Sequence, residues 1–357
     1  MPPSANEGIM PVDISTATNL KRRRLLKGSL AATGALLAGG GYLALHKLGT
    51  DTASMVLQLG WLPGPQQIGE IVAKRLGYYL QEGIHLRISG GGPSIDGVSV
   101  VASGSAQVGQ ISSSPSIMLA VSQNIPIQCF ATALQRHPYT YFSLKSDPVR
   151  TISDMVHKKV GIPSTAGVLL KATLAKANLP ESSVSVVPIG ADMSPLLTGQ
   201  VDVISAWSTN TTSLRPLGSN RVDLSMWDTG IHLYALPYYA ATHTLEHEFD
   251  SIVRFMRATA RGWVYARSHM DEAAELLVAE YPNLNRDDER VEIEAMLAFA
   301  FEDKANELGW GTMDTGMWQS QIDMYKQLDQ FTNHVPTVSE VMTLKVLNAT
   351  QSYRMRL

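Results

Sequence analysis

The chain has 357 residues, of which 45% are hydrophobic and 17% are charged, and its formal net charge at pH 7 is −3. This composition is typical of a soluble chain with a hydrophobic core, and the charge provides no electrostatic basis for nucleic-acid binding. The single cysteine, Cys129, cannot form an internal disulfide, and the apolar run around it predicts a buried structural thiol.

The N-terminal region carries the pattern of an export signal. Residues 21–27 read KRRRLLK and precede an uncharged segment, residues 28–45, that is short and rich in Gly and Ala. Basic residues before such a segment indicate export, and the pair Arg22-Arg23 indicates the twin-arginine route to the periplasm. No Ala-x-Ala cleavage site follows Leu45, so the alternative is that the segment is retained as a membrane anchor.

From residue 55 onward, short apolar runs alternate with helical patterns. Strands are predicted at residues 55–60, 86–89, 107–111, 126–134, 139–144, 159–162, 184–188, 201–206 and 238–241. Helices are predicted at residues 67–80, 96–103, 114–123, 164–177 and 194–198, and again at residues 246–268, 271–279, 286–301, 315–330 and after 338. The alternation predicts an α/β fold with two halves, each a mainly parallel sheet flanked by helices, and a helical C-terminal tail.

The loops that follow the predicted strands suggest where a ligand would bind. In open α/β sheets, ligands bind outside the carboxyl ends of the strands, so both halves are expected to contribute their loops to one cleft. The loops at residues 61–66, 90–95, 112–114, 164–167, 191–193 and 207–212 are rich in Gly, Ser, Thr, Asn and Trp and contain few charges. This composition favours a small neutral or aromatic ligand over acid–base catalysis.

Five segments spread over residues 59–274 form a recognisable pattern. They are residues 59–63 (LGWLP), 77–86 (GYYLQEGIHL), 102–109 (ASGSAQVG), 197–202 (LTGQVD, followed by Trp207, Thr209 and Asn210), and 257–266 (RATARGWVYA, followed by Glu272, Ala273 and Ala274). In this order they resemble the substrate-binding proteins of ABC importers related to thiamine-pyrimidine-precursor binding and to sulfonate, nitrate and taurine binding.

The resemblance implies a type II periplasmic binding-protein fold, a hinged clamp that delivers a small molecule to an ABC permease and its ATPase subunit. We expect residues 1–50 to form a tail with the signal or anchor, residues 51–145 and 236–357 to form lobe I, and residues 146–235 to form lobe II. No enzymatic activity, cofactor, bound metal or nucleic-acid partner is expected, and membrane contact is expected only through the N-terminal segment.

Two tryptophans and an asparagine are the main site candidates. Trp61 follows the first predicted strand and Trp207 ends a strand of the second half, so both are expected at the cleft. In the pyrimidine-binding branch of the family, a tryptophan at the first position stacks on the ligand ring, a contact that suits planar heterocycles. Asn210 can both donate and accept hydrogen bonds, which suits an aminopyrimidine edge; alternatively, it caps the next helix together with Thr209.

The remaining candidates are mostly hydroxyl side chains. Helix starts that follow strands offer N–H groups to an anionic group, although the same hydroxyls could serve only as helix caps. These residues are Ser113 and Ser114 in the first half and Ser164 and Thr165 in the second; Gln66, Tyr139 and Tyr238 complete the set. His137, which precedes Pro138, is expected mainly to turn the chain.

The ligand assignment has one departure from the family pattern. The pyrimidine branch often carries an acidic residue close after its asparagine, whereas Thr211 and Thr212 stand here. A thiamine pyrimidine precursor is the preferred ligand, and a sulfonate, nitrate, taurine or riboflavin-type ligand is the alternative. An oxyanion would call for an arginine in the cleft, for which Arg136 and Arg215 are the candidates.

One motif points to a different class of protein. His243-Thr244-Leu245-Glu246-His247 matches the H-x-x-E-H pattern of zinc hydrolases. Zinc binding requires both histidines on one helical face. Because His243 is predicted to end a strand and Thr244 to cap the following helix, we expect the two histidines not to share a face and no metal to bind.

Overall fold

The computed structural model describes residues 52–92, 95–302 and 304–357. The predicted twin-arginine signal or anchor, residues 1–50, lies outside these residues. None of the helices in the described part combines the length and the apolar character needed to cross a bilayer.

Within the described residues, ten strands form two five-stranded sheets. The strands are β1 (Ala53–Leu59), β2 (Ile84–Ser89), β3 (Val108–Gln110), β4 (Ile127–Leu134), β5 (Tyr139–Leu144), β6 (Lys159–Ile162), β7 (Ser185–Pro188), β8 (Val203–Trp207), β9 (Arg221–Ser225) and β10 (Ala235–Ala241). The strand order is β2-β1-β3-β10-β4 in the first sheet and β7-β6-β8-β5-β9 in the second.

The two sheets share one topology. In the first, β10 runs antiparallel to both neighbours, and β1 pairs in parallel with β2 and β3. In the second, β5 is antiparallel to both neighbours, and β6 pairs in parallel with β7 and β8. The chain passes between the sheets twice, through residues 135–138 and 226–234. The predicted α/β architecture of two lobes with mainly parallel sheets is confirmed.

The structure adds a strand that the sequence analysis did not identify. β9 has alternating burial, with Val222 and Leu224 facing inward, and forms the edge of the second sheet. β5 also belongs to this sheet, which moves it out of the predicted lobe I, residues 51–145. We propose that the second lobe begins near residue 138 and ends near residue 226; the division of the chain into lobes stays a prediction.

Fifteen α-helices lie within the described residues. They are α1 (Ile68–Arg75), α2 (Tyr78–Gln81), α3 (Gly97–Ala102), α4 (Ser114–Ser122), α5 (Gly167–Lys176), α6 (Ser194–Leu197), α7 (Thr211–Leu214), α8 (Thr242–His247), α9 (Phe249–Ser268), α10 (Met270–Glu280), α11 (Arg286–Ala300), α12 (Lys304–Leu308), α13 (Thr315–Gln327), α14 (Val338–Val341) and α15 (Lys345–Arg354). The predicted helix over residues 67–80 is divided because Gly77, at φ 74°, adopts a left-handed conformation that ends α1.

The helical tail supports the first sheet and also contacts the second lobe. Helix α9 packs against α1 and buries one face, on which Phe255, Met256 and Trp263 are fully buried. Helix α11 reaches α7: Glu292 Oε1 accepts a hydrogen bond from the Thr212 backbone N–H at 3.1 Å. Cys129 is buried as predicted, and burial raises the pKa of its thiol.

A close approach of two backbones fixes the α1–α9 contact. A methyl group at Gly262 would overlap the Gly69 carbonyl oxygen, and one at Gly69 would overlap the Trp263 ring. We expect Gly262→Ala to lower the free energy of unfolding by about 3 kcal/mol, because neither backbone can move without displacing the packed helices. Urea unfolding followed by circular dichroism measures the loss. Gly167→Ala is the control, because nothing lies within 4 Å of the added methyl group; an equal loss there would contradict the assignment.

Candidate ligand-binding site

A cleft between the two lobes brings together the loops at the carboxyl ends of both sheets. It contains about 690 Å³ of space between atoms when its open mouth is counted. Seven of the ten predicted site residues line it: Trp61, Gln66, Ser113, Tyr139, Thr165, Trp207 and Asn210. Their common location agrees with the rule that ligands bind outside the carboxyl ends of the strands in open α/β sheets. Ligand contact by each of these residues stays a prediction.

The other three predicted residues lie elsewhere. The Ser114 hydroxyl is buried, donates to Gln321 Oε1 at 2.6 Å and accepts from the Tyr234 N–H at 3.2 Å. The Tyr238 hydroxyl donates to Glu70 Oε1 at 2.6 Å inside the first lobe. Ser164 is exposed and does not line the cleft. Their placement therefore gives no support to ligand contact by these three side chains.

The helix starts at the cleft differ from the predicted caps. Ser164 and Thr165 belong to a short 3₁₀ turn, Ser164–Ala166, and α5 begins only at Gly167, with no side-chain capping bond. Ser113 and Asn210 occupy the positions before α4 and α7, and neither side chain forms a capping bond. The alternative that these side chains cap their helices is therefore wrong, and no capping bond holds the Asn210 amide away from a ligand.

A buried chain of hydrogen bonds lies behind the loop that carries Trp61. The Gly64 N–H donates to Gln67 Oε1 at 3.1 Å, and Gln67 Nε2 donates to Gln110 Oε1 at 2.8 Å. Gln110 Nε2 in turn donates to Glu70 Oε1 at 2.9 Å. Burial raises the pKa of the Glu70 carboxyl to about 7, against the opposing effect of its hydrogen bonds with Tyr238, Trp263 and Gln110. This series of hydrogen bonds fixes the loop that carries Trp61 to the first sheet.

His137, which was expected mainly to turn the chain, also lines the cleft. Its ring is 1% exposed and packs edge-on against the rings of Trp207 and Tyr139, with centroid distances of 5.4 and 6.1 Å. Nδ1 accepts the Tyr139 backbone N–H at 3.2 Å. Burial lowers the pKa of the imidazole to about 3, against a smaller opposing effect from the Ser112 backbone. His137 is therefore neutral at physiological pH.

The pairing of β5 with β8 places the residues that line the cleft next to His137. Tyr139 lies opposite Trp207, and Tyr141 lies opposite Ser205, so alternate residues of both strands share one face. Tyr139 and Ser205 are 2% and 1% exposed, and their hydroxyls lie near each other at the cleft. Ser205 was missed because it lies within an apolar strand, where a single serine gives no signal of its own.

The cleft is lined without formal charge. None of the described residues that line it is a lysine, arginine, aspartate or glutamate. The two arginines considered for an oxyanion lie outside it. Arg136 Nη2 donates to Glu302 at 3.1 Å, and Arg215 Nη2 pairs with Asp288 at 2.5 Å. The arrangement favours an uncharged ligand.

The H-x-x-E-H motif has a different conformation from the one expected. His243 and His247 both belong to α8, and their rings stack with centroids 4.0 Å apart, so the prediction that they would not share a face is wrong. His247 Nδ1 is hydrogen-bonded to the His243 carbonyl at 2.9 Å. In the part of the chain that the structure describes, no group of three His, Cys, Asp or Glu residues could hold a metal ion.

A family model described as NMT1/THI5 like matches residues 64–273, which include most of the cleft. The chain belongs to the NMT1/THI5-like family. The resemblance found in the sequence is confirmed, and most of the segments that carried it lie within the matched range.

Three named proteins are similar to this chain in sequence. It is 24% identical over 274 residues to the riboflavin-binding protein RibY of Chloroflexus aurantiacus, covering 74% of this chain and 78% of that protein. It is 23% identical over 315 residues to a formylaminopyrimidine-binding protein of Halalkalibacterium halodurans, covering 84% and 94%. It is 25% identical over 236 residues to a 4-amino-5-hydroxymethyl-2-methylpyrimidine phosphate synthase of Legionella pneumophila, covering 64% and 74%.

The fold is that of periplasmic binding proteins. The alkanesulfonate-binding protein SsuA of Xanthomonas axonopodis pv. citri, solved with bound MOPS, superposes with a TM-score of 0.61 at 14% identity, covering 82% of this chain and 99% of that one. At this identity the likeness shows the fold alone.

Proposed function

We propose that this protein is the extracytoplasmic solute-binding component of an ABC importer, and that it captures a small planar heterocycle between its lobes. The observation that carries the proposal is one uncharged cleft with a tryptophan from each lobe in its lining, Trp61 and Trp207. Aromatic side chains offer a planar ligand a large contact area and fix its orientation. Asn210, at the same cleft, can hydrogen-bond to the edge of the ring.

A pyrimidine precursor of thiamine is the ligand we propose first. Two relatives carry pyrimidines in their names, and a third is named for riboflavin, which is also a planar heterocycle. A riboflavin-type ligand is therefore the main alternative. A sulfonate, nitrate or taurine is less well supported, because neither candidate arginine reaches the cleft.

The cellular role follows from the proposed capture. A ligand that contacts both lobes favours their closed arrangement, which a permease and its ATPase subunit would recognise. We propose that the protein acts in the periplasm after export by the twin-arginine route, or is tethered by an N-terminal anchor.

We propose binding without catalysis, although one relative is named a synthase. The described lining residues include no carboxylate, lysine or cysteine that could act as acid, base or nucleophile, and their serine hydroxyls would need a base to activate them. The single imidazole, His137, has a pKa of about 3 because it is buried, which makes it a weak base near neutral pH.

Thermal-shift and calorimetric measurements on the full-length protein test the proposal. At a hundred times its Kd, a ligand that binds only the folded protein adds about 2.7 kcal/mol of stability, which raises the Tm of a chain of this size by roughly 4 °C. We expect this from 4-amino-5-hydroxymethyl-2-methylpyrimidine or riboflavin. A shift produced only by taurine, nitrate or alkanesulfonates would overturn the heterocycle assignment, and turnover of the bound pyrimidine would overturn the binding-only assignment.

A further inference from the structure

On the basis of the proposed function, we infer that the ligand is uncharged and that His137, Tyr139 and Ser205 together recognise its polar edge, with His137 as a fixed N–H donor. His137, in the crossing between the sheets, and Tyr139 and Ser205, on the second sheet, determine specificity. The tryptophans, by contrast, supply contact that any planar ring could use.

The first support is that all three groups are buried at the cleft and none forms a well-aligned hydrogen bond, although the Ser112 backbone lies near the His137 ring and the Tyr139 and Ser205 hydroxyls lie near each other. Within the described residues, His137 Nε2, the Tyr139 hydroxyl and the Ser205 hydroxyl form no hydrogen bond of ordinary length and angle. Buried polar atoms are nearly always paired, and each unpaired one costs free energy. Three in one cleft indicate that a bound molecule is what satisfies them.

The second support is the fixed protonation of His137. Because Nδ1 already accepts the Tyr139 backbone N–H, the single proton of the neutral ring must be on Nε2. His137 Nε2 is then a donor only, whereas the two hydroxyls can donate or accept. A ligand edge with at least one acceptor, such as a ring nitrogen or a carbonyl oxygen, fits this set.

The third support is the lack of a compensating charge. No lysine or arginine is among the described residues that line the cleft, and the one imidazole is held neutral by burial. Burying an anion there without a paired cation carries a large cost in free energy. The site should therefore discriminate against the phosphate ester or sulfonate of a ring that it otherwise accepts.

Matched pairs of ligands test the charge directly. The full-length protein is titrated by calorimetry with 4-amino-5-hydroxymethyl-2-methylpyrimidine and its phosphate, with riboflavin and riboflavin 5′-phosphate, and with taurine. We expect the uncharged member of the pair that binds to have a Kd at least 30-fold lower than that of its phosphate. Equal or tighter binding of the phosphate, or binding of taurine alone, would overturn this inference while leaving a solute-binding role in place. Binding of none of these probes would overturn the proposed function and this inference with it.

Substitutions test the three side chains with two readouts. Tyr139→Phe and Ser205→Ala each remove an unpaired buried hydroxyl, so we expect the Tm of the ligand-free protein to rise by a few degrees while Kd for the binding probe rises about tenfold. A purely structural hydroxyl would instead lower the Tm and leave Kd unchanged, which would remove that residue from the site.

His137 needs a pair of variants, because any substitution also removes its bond to the Tyr139 N–H. His137→Gln retains an N–H donor near the Nε2 position, and His137→Leu does not. We expect the glutamine variant to bind at least tenfold more tightly than the leucine variant at similar Tm. Equal Kd values for the two would show that His137 is not a donor and would overturn its assignment.

Discussion

Trp61→Ala is expected to raise the Kd for the heterocyclic ligand at least 30-fold, equivalent to about 2 kcal/mol of binding free energy. Trp61 is half-buried in the cleft lining, so the ring offers its area to a ligand more than to the core. Stability should consequently change little, with the Tm staying within about 2 °C of the original. Calorimetry and thermal unfolding of the same preparation measure both quantities.

The control for this change is a tryptophan outside the cleft. Trp227 is also half-buried, stacks on His232 with ring centroids 4.3 Å apart, and does not line the cleft. Trp227→Ala should leave Kd unaltered. If Trp61→Ala left the affinity unchanged, or if both substitutions weakened it equally, Trp61 would be excluded from the binding site.

Glu70→Gln is expected to raise the free energy of unfolding by about 3 kcal/mol at pH 8 and to leave it nearly unchanged below pH 4.5. Burial raises the pKa of Glu70 from its ordinary 4.5 to about 7. Below pH 4.5 the carboxyl is protonated in both the folded and the unfolded chain. Between pH 4.5 and 7 only the unfolded chain releases the proton, so stability falls; above pH 7 the full cost of the buried carboxylate is present.

The glutamine fits the surroundings of the carboxyl. Its amide oxygen can accept from Gln110 Nε2 and the Tyr238 hydroxyl, as Glu70 Oε1 does, and its nitrogen replaces Oε2, which accepts no well-aligned hydrogen bond within the described residues. Urea unfolding between pH 4.5 and 8.5 measures how steeply the free energy of unfolding changes with pH in Glu70→Gln and in the unsubstituted protein. Glu246→Gln, at an exposed position, removes the same formal charge and serves as the control. Equal slopes for Glu70→Gln and the unsubstituted protein would contradict the assigned pKa.

Apolar runs and chain-turning residues were enough to predict both sheets and most of the helices. β9 was missed because its alternation is short and half polar, so that Val222 and Leu224 alone did not outweigh the neighbouring charges. The division of the first long helix at Gly77 depends on a left-handed residue, which sequence periodicity does not register.

The site was predictable to the extent that it lies at the ends of strands. Trp61, Trp207 and Asn210 were located in this way. Tyr238 was included among the candidates but lies outside the cleft lining. Its hydroxyl donates to Glu70, which lies 168 residues earlier in the chain, and a contact over that distance leaves no local signal in the sequence. His137 was assigned to a turn because Pro138 follows it; only the packing of Trp207 and Tyr139 against its ring shows that it also faces the cleft.

The strand order of the first sheet has a consequence for synthesis. The second sheet is built from one continuous stretch, residues 139–225, whereas the first needs β10, which ends at Ala241. The edge strand β4 is joined to its sheet through β10, so it lacks its neighbour until that strand has left the ribosome. Domains generally fold in the order of synthesis. Here the first lobe contains the strands that are synthesised first, but its sheet is completed after that of the second lobe.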